Sequence, residues 1–305
     1  MQYLLRSMLF VPGNRGDLHK KAAKSEADTL ILDMEDSILD KLKSEARETI
    51  IRSLAEGVFK NKVLFVRLND LDSGHLLKDI TKLTIDGITG FIYPKSYSEK
   101  DIIFFDSLLT AVEKDKGFNP GKFKIIPLLE TASAILRVEK ICQVSSRIIA
   151  AVYGSEDFVA DIHGIHDKEG KALFYPRARV VLAARAAGII PIDTLHVNIH
   201  DLDDLEENLK LAKTLGFEGM LLLHPKEIEL AHKYFSPTQE ELERARKIIT
   251  LSEKAARENI RIAIIDNTFI GPPMLTAARN IIKRQQLINE KKLVKNGKNH
   301  LPNSY

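Results

Sequence analysis

Residues 123–134 read FKIIPLLETASA. An apolar run that should be buried on both faces stops at one carboxylate, Glu130, and small residues then open a helical pattern, SAILRVEKICQ. The event recurs at 147–157, RIIAAVYGSED, where the apolar run ends in Gly154, Glu156 and Asp157 before a loop and the helical PRARVVLAARAAG. Working outward, SMLFVP (7–12), TLILDME (29–35), VLFVRLN (63–69), GITGFIYPK (87–95), IIPIDTLHV (189–197) and FEGMLLLHP (217–225) are further runs of this kind. Each precedes a helical pattern except VLFVRLN, which reads as standing alone before a loop. Val, Ile and Leu dominate with little polar alternation, as in strands of a parallel sheet covered on both faces. Eight βα units in about 235 residues predict an α/β chain folded as a (β/α)8 TIM barrel, whose usual size is roughly 250 residues. The rival, a doubly wound open sheet, usually follows its first strand with a G-x-G-x-x-G phosphate loop, and PGNRGD (12–17) is not one.

After Phe235 the pattern changes. Ser236-Pro237-Thr238 opens a helix with Pro237 at its first position, expected to run to about Asn259. IRIAIID (260–266) reads as a short strand, DNTFIGPP (266–273) as a loop and MLTAARNIIKRQQLINEKK as a last helix. The expected organisation is a catalytic barrel over 1–235 and an appended C-terminal helical segment over 236–292, with a flexible tail over 293–305. The appended segment reads as too small for a core of its own, so it should pack on the barrel or on a neighbouring subunit.

Composition narrows the function. Of 305 residues, 44% are hydrophobic and 29% charged, a soluble globular balance. A net charge of +3 does not call for nucleic acid and is compatible with an anionic small-molecule substrate. The one cysteine, Cys142, excludes an internal disulfide and a cysteine-rich zinc site, and fits a cytoplasmic setting. The apolar N-terminus is interrupted by Arg6 and ended by Pro12-Gly13, too short to span a membrane, so no membrane partner is expected.

In a barrel of this kind the active site lies at the C-terminal ends of the strands. Those ends carry Asp33, Glu35 and Asp36 (second strand), Arg67 and Asn69 (third), Lys95 (fourth), Glu130 (fifth), Glu156 and Asp157 (sixth) and His224 (eighth). A packed core would not select these residues, because an unpaired buried charge is costly. Glu130 and Asp157 end adjacent strands, and two converging carboxylates with positions left for water describe a Mg2+ site. Blander readings stand beside these. Glu130 and Asp157 also suit helix N-termini, Glu130 with Thr131 as cap. Arg67 also suits a structural partner of Asp33 or Glu35, Lys95 a simple ion pair, and His224-Pro225 a turn.

The ordered set RSMLFVPGNR, ILDMED, VRLN, YPK, LLETASA, YGSEDF, PRARVVLAARAAG, PID and LGFEGMLLLHPKEI resembles the citrate lyase β-subunit family of the HpcH/HpaI aldolase/citrate lyase superfamily, from about Arg6 to about Ile282. That family includes stand-alone citramalyl-CoA and malyl-CoA lyases. The resemblance implies a TIM barrel that uses Mg2+ to cleave or form a carbon–carbon bond between a 2-oxo acid and an acyl thioester. It implies Glu130 and Asp157 as metal ligands and Arg67 as catalytic anchor of the oxo acid's carboxylate. Glu130 also borders the substrate, and Asp33, Glu35 and Asp36 hold metal-bound waters. Arg15 and Lys95 are expected on the side that receives the thioester, and homo-oligomers, trimers foremost, are implied. One departure is plain. Where many relatives carry G-K-M-I/V-D-x-P, whose aspartate acts as acid/base in a neighbour's site, this chain reads NTFIGPP. Gly271 replaces the aspartate and Thr268 the lysine, while Asp266 lies upstream. That argues against thioester hydrolysis or malate-synthase-like chemistry. Three functions are left: a Mg2+-dependent lyase of 3-hydroxyacyl-CoA thioesters, the β-subunit of a complex acting on a citryl group carried by an acyl-carrier protein, and a binder that kept the metal site and lost turnover.

Overall fold

In the computed structural model, residues 3–166, 170–257, 263–265 and 268–295 are described. The first eight strands are β1 (Ser7–Pro12), β2 (Thr29–Asp33), β3 (Val63–Arg67), β4 (Gly90–Tyr93), β5 (Lys124–Leu129), β6 (Ala150–Tyr153), β7 (Ile190–Asp193) and β8 (Gly219–Leu222). They pair in sequence order, all parallel, and β8 returns to β1 to close the barrel. The helices between them are α1 (Gly16–Ala23), α2 (Lys43–Ala55), α3 (Leu76–Leu83), α4 (Glu99–Asp115), α5 (Ala132–Gln143), α6 (Ser155–Asp161), α7 (Lys171–Ala186), α8 (Leu202–Leu215) and α9 (Ile228–Phe235). The expected (β/α)8 TIM barrel is therefore the observed fold.

Strand alternation sorts the core into two layers. Leu9, Leu30, Leu32, Leu64, Val66 and Phe91 belong to the apolar cluster shared with the helices. The alternate positions Met8, Ile31, Phe65, Ile92, Ile126 and Ile192 are buried but outside that cluster, and they fill the barrel. Because side chains alternate, the inward register that contains Ile31, Phe65 and Ile126 continues to Asp33, Arg67 and Leu128 at the strand tips. The sequence of apolar strands thus positions polar tips at one mouth.

Differences from the sequence reading are local. The third unit does have a helix, α3, whose Leu76, Ile80 and Leu83 are buried at helical spacing. The stretch after β6 contains α6 as well as the expected α7, and Pro176 lies inside α7. Several strands are shorter than the apolar runs, β4 starting at Gly90 and β6 at Ala150.

The chain divides into two compact units, Leu5–Phe235 and a second comprising Met1–Leu4 with Ser236–Tyr305. In the second unit, α10 spans Gln239–Arg257, β9 Ala263–Ile265, β10 Thr268–Ile270 and α11 Pro272–Lys295. Pro237 precedes α10 rather than opening it, because Thr238 takes the capping role: its hydroxyl accepts the Glu241 amide at 3.1 Å, and Glu241 accepts the Thr238 amide at 2.7 Å. The stretch expected to be a loop contributes β10, which pairs antiparallel with β9. The Pro pair opens α11 behind Gly271, whose carbonyl accepts the Met274 amide at 3.1 Å. Contrary to the expectation of no core, Ala245, Ile248, Ile270 and Ala278 form an apolar cluster within this unit. Asp266 lies outside the described residues.

Candidate active site

A cavity of about 450 Å³ opens at the C-terminal mouth of the barrel. Asp33, Asp36, Arg67, Glu130, Glu156 and Asp157 line it, so six of the charged residues selected from the sequence meet there. Phe10, Leu128, Leu195, Val197, Leu221 and Leu223 supply apolar wall.

Glu130 follows β5 and is 2% exposed. Thr131 caps α5, as the blander reading of this stretch has it, its hydroxyl accepting the Ala134 amide at 3.1 Å. One Glu130 oxygen accepts the backbone N–H of Lys95 at 2.7 Å. Lys95 holds φ at 48°, in the left-handed region that non-glycine residues seldom enter. The strained residue thereby turns an amide onto the glutamate. Gly154 lines the other side. A Cβ there would lie 2.9 Å from Glu130 Cβ and 3.1 Å from Oε2, so a side chain would displace the carboxylate. Burial, then the negative charge of Glu35, push the Glu130 carboxyl up to about 8, with Asp157 adding to the rise. Asp157 stands exposed in the first turn of α6, and at the far end of that helix Asp161 accepts the first amide of α5 at 2.7 Å.

Arg67 is the centre of the opposite wall. Its Nε and Nη2 donate to the two oxygens of Asp33 at 2.7 and 2.8 Å, a bidentate pair. Nη1 lies 3.0 Å from both Glu35 and Asp36. The guanidinium also sits 4.7 Å above the Phe10 ring. Burial opposes the charge on Arg67, yet Asp33 and its neighbours raise its proton affinity overall. Asp33 accepts the amides of Glu35 and Ser37 at 3.0 Å each, which folds the acidic loop back on itself. Burial drives Asp33 upward, but Arg67 and these amides more than offset it and hold the carboxyl below the ordinary range. Glu35 moves the other way, pushed up to about 7 by burial, which Arg67 opposes and Asp36 reinforces. Asp33, Glu35 and Asp36 therefore gather round the arginine, as one of the blander readings held.

Lys95 and Arg15 are not among the cavity's lining residues. Lys95 Nζ donates to Asp70 at 2.6 Å, and Arg15, its side chain 53% exposed, grips Asp17 at 2.8 and 2.7 Å. His224 is a turn residue: its Nδ1 accepts the Lys226 amide at 3.1 Å. Asn69 is tied to Asp79 at 2.6 Å. Sequence reasoning missed Lys43, which is buried and donates 2.7 Å bonds to the carbonyls of Met34 and Glu35, pinning the acidic loop. It also missed Phe10, visible only as one apolar letter among six, and the Ser155–Thr194 hydroxyl pair at 2.8 Å that joins α6 to the end of β7.

Among the described residues, no three His, Cys, Asp or Glu side chains form a ready metal cage. The donor set fits a hard ion that keeps its waters: two carboxylates on one cavity, one of them holding its proton because it is buried, with the like charge of Glu35 reinforcing the effect. A divalent cation would reverse that balance.

A closed parallel barrel with carboxylates and an arginine at its C-terminal mouth defines a TIM-barrel enzyme. Residues 6–225 match the family described as HpcH/HpaI aldolase/citrate lyase, and the chain belongs to it, as a carbon–carbon lyase. The chain is 32% identical over 281 residues to the citrate lyase subunit beta of Haemophilus influenzae, covering 92% of this chain and 97% of the relative. It is 29% identical over 304 residues to the L-malyl-CoA/beta-methylmalyl-CoA lyase of Rhodobacter capsulatus, covering 93% and 95%. Among solved structures, it resembles the CitE protein of Mycobacterium tuberculosis in complex with magnesium, acetoacetate and coenzyme A, with a TM-score of 0.74, 25% identity and coverage of 92% and 97%. Among the described residues, no helix is long and apolar enough to cross a membrane.

Proposed function

We propose that this protein is a Mg2+-dependent lyase that cleaves, or forms, a 3-hydroxyacyl-CoA thioester of the citramalyl or malyl type, giving an acyl-CoA and a 2-oxo acid. The observation that carries this reading is the pairing of Glu130 and Asp157 on one cavity with Arg67, with the Glu130 proton held up to about 8. Magnesium relatives among the solved structures support it.

Glu130 and Asp157 would hold the ion, and bound Mg2+ would lower the proton affinity of the substrate's hydroxyl and stabilise charge on that oxygen. Lys95 N–H fixes one Glu130 oxygen, leaving the other for the metal side. Arg67, preorganised by Asp33, Glu35 and Asp36, orients the substrate carboxylate, and charge placed in advance is usually the largest catalytic contribution. Those three acids would also hold waters of the bound ion. In cleavage the hydroxyl gives its proton to water or a rim carboxylate and becomes the oxo acid's carbonyl as the carbon–carbon bond breaks, and the bond's electrons pass to the carbon beside the thioester, which then takes a proton. With glycine at 271, water or a rim carboxyl supplies it. Arg15 would receive the thioester's nucleotide end, and Lys95 would contact the thioester, both from outside the cavity's lining. Assembly as a homo-oligomer, a trimer foremost, belongs to the same reading and is checked by light scattering.

A second reading, action on a citryl group carried by an acyl-carrier protein, is favoured by the citrate lyase relatives. The deciding experiment incubates the purified protein with MgCl2 and a panel of 3-hydroxyacyl-CoA esters, read by mass spectrometry. Release of acyl-CoA that EDTA abolishes is expected. No release from any ester, with the protein folded, refutes the CoA-thioester reading and leaves the acyl-carrier-protein substrate and the binder.

A further inference from the structure

Two buried polar atoms in the loops that follow β7 and β8 have no hydrogen-bond partner among the described residues: Nε2 of His196 and Oε1 of Glu227. Both side chains are buried, Glu227 completely. Buried polar groups are nearly always paired, because a bare one is costly. The two residues are close enough for the charge of His196 to bear on Glu227. Their other atoms limit where a proton can sit. Glu227 Oε2 accepts the amides of Leu223 and His224 at 2.8 and 2.9 Å, so a proton on this carboxyl belongs on Oε1. His196 Nδ1 faces an Asp204 oxygen at 3.5 Å, which places the ring's N–H there and leaves Nε2 as an acceptor. Burial raises the Glu227 carboxyl above its usual range, and the two amides, His196 and His224 offset this only in part. The pair stands behind the cavity wall. His196 lies between Leu195 and Val197, which line the cavity, and so does Leu223, whose amide Glu227 holds.

We propose that Glu227 and His196 are a positioning pair: an O–H on Glu227 Oε1 donates to His196 Nε2, ties the turn after β8 to the loop after β7, and fixes the stretch of cavity wall formed by Leu195, Val197 and Leu223. Thr194, in the same loop, is held from the other side by the Ser155 hydroxyl at 2.8 Å. The titratable groups around the bond are Asp204 from α8 and His224 from the turn after β8. Loss of the proton leaves a carboxylate against a lone pair, so the tie loosens in alkali.

The test is NMR of the full chain, labelled in histidine nitrogens and in leucine and valine methyls, with urea unfolding alongside. Glu227→Gln puts an amide N–H where the carboxyl proton stood and keeps an oxygen for the two backbone amides, whereas Glu227→Met does neither. In the parent and in Glu227→Gln, His196 should carry its proton on Nδ1 and accept a hydrogen bond at Nε2. In Glu227→Met that bond should vanish and the methyl signals of Leu195, Val197 and Leu223 should move, while Glu227→Gln leaves them near their parental positions. An unfolded glutamate titrates at its usual 4.5, so the folded protein's raised Glu227 contributes most at low pH and loses that contribution as pH rises through its folded value. The urea midpoint of Glu227→Gln should therefore exceed the parent's by a margin that grows with pH. Protons on both ring nitrogens of His196, with a lower midpoint in Glu227→Gln, would make the contact an ion pair and overturn the proposal. Methyl signals that stay in place in folded Glu227→Met overturn the positioning role. Should Glu227→Met not fold, the parent's spectrum decides alone: a proton on Nε2 of His196 overturns the pair.

Discussion

Both ends of the barrel bury acids, but Glu113 at one end and Glu130 at the other are treated in opposite ways. At the N-terminal end, Arg6, just before β1, grips Asp28, just before β2, through contacts of 2.8 and 2.9 Å, and Asp28 also accepts the Arg6 amide at 3.0 Å. Arg147, before β6, holds both oxygens of Glu113 at 2.7 and 2.6 Å, and the amides of Gly121 and Phe123 complete the shell at 3.0 Å. Burial pushes Glu113 up, yet the Arg147 bonds and those amides win, and the carboxyl sits below its usual range. At the C-terminal end, Glu130 is as deeply buried but has one backbone amide for company, and it rises to about 8. The same residue type under the same burial is stabilised where the fold provides a guanidinium and left short of positive charge where it does not. The lesson is that a buried carboxylate reads as structural or functional by its counter-charge, not by its depth.

That contrast is breakable. Glu130→Gln and Asp157→Asn should each lower Mg2+-dependent turnover by at least about 10³-fold, since each removes a ligand from the ion that stabilises developing charge. Glu130→Gln should raise urea-unfolding stability of the metal-free protein at pH 7 by up to about 3 kcal/mol, because the unfolded chain no longer gains from ionising a side chain that the folded state keeps protonated. Turnover that survives either substitution removes that residue from the metal's shell. Arg147→Ala should do the reverse: a loss of about 3–5 kcal/mol from stranding Glu113, with Mg2+ affinity kept by the folded fraction. Arg67→Ala belongs between the two, raising KM for the 2-oxo acid while also stranding Asp33. An unchanged KM would restrict Arg67 to holding the acidic loop. Gly154→Ala should cost about 1–3 kcal/mol and weaken Mg2+ binding, as the added methyl pushes on Glu130.

The same contrast sets a pH slope. Glu130 and Glu35 have folded values of about 8 and about 7, above the usual 4.5, so the metal-free folded state keeps protons that the unfolded chain has lost. Their contribution to stability is therefore greatest at low pH and declines from about pH 4.5 towards 8, by at most about 1.4 kcal/mol per unit for each group. Saturating Mg2+ should flatten the decline and release protons on binding, read by calorimetry in buffers of different ionisation enthalpy. A slope indifferent to Mg2+ would place the ion away from Glu130.

Legibility differed in kind between fold and site. Eight apolar runs separated by helical patterns sufficed for the barrel, because both faces of each strand are covered and composition alone records that. The carboxylates were legible as interruptions: Glu130 and Asp157 stand out where burial would exclude them. Their surroundings were legible only in part. Arg67 could be read as a partner of Asp33 or Glu35, but that it spans both and Asp36 as well depends on β2 and β3 lying in register with Asp33 opposite Arg67. Lys43 was invisible for a similar reason, as a lysine in a helix normally faces water. The β9–β10 hairpin hid behind a Pro pair that opens a helix instead of closing a loop.

By itself, the chain's order of apolar and polar letters determined the barrel, the mouth at which its chemistry lies and the two acids there, because strand periodicity and the cost of burying charge act locally. Which charge answers which acid, and which acid is left wanting a cation, was decided by strand register and the closure of β8 on β1, long-range geometry that no local window of sequence contains.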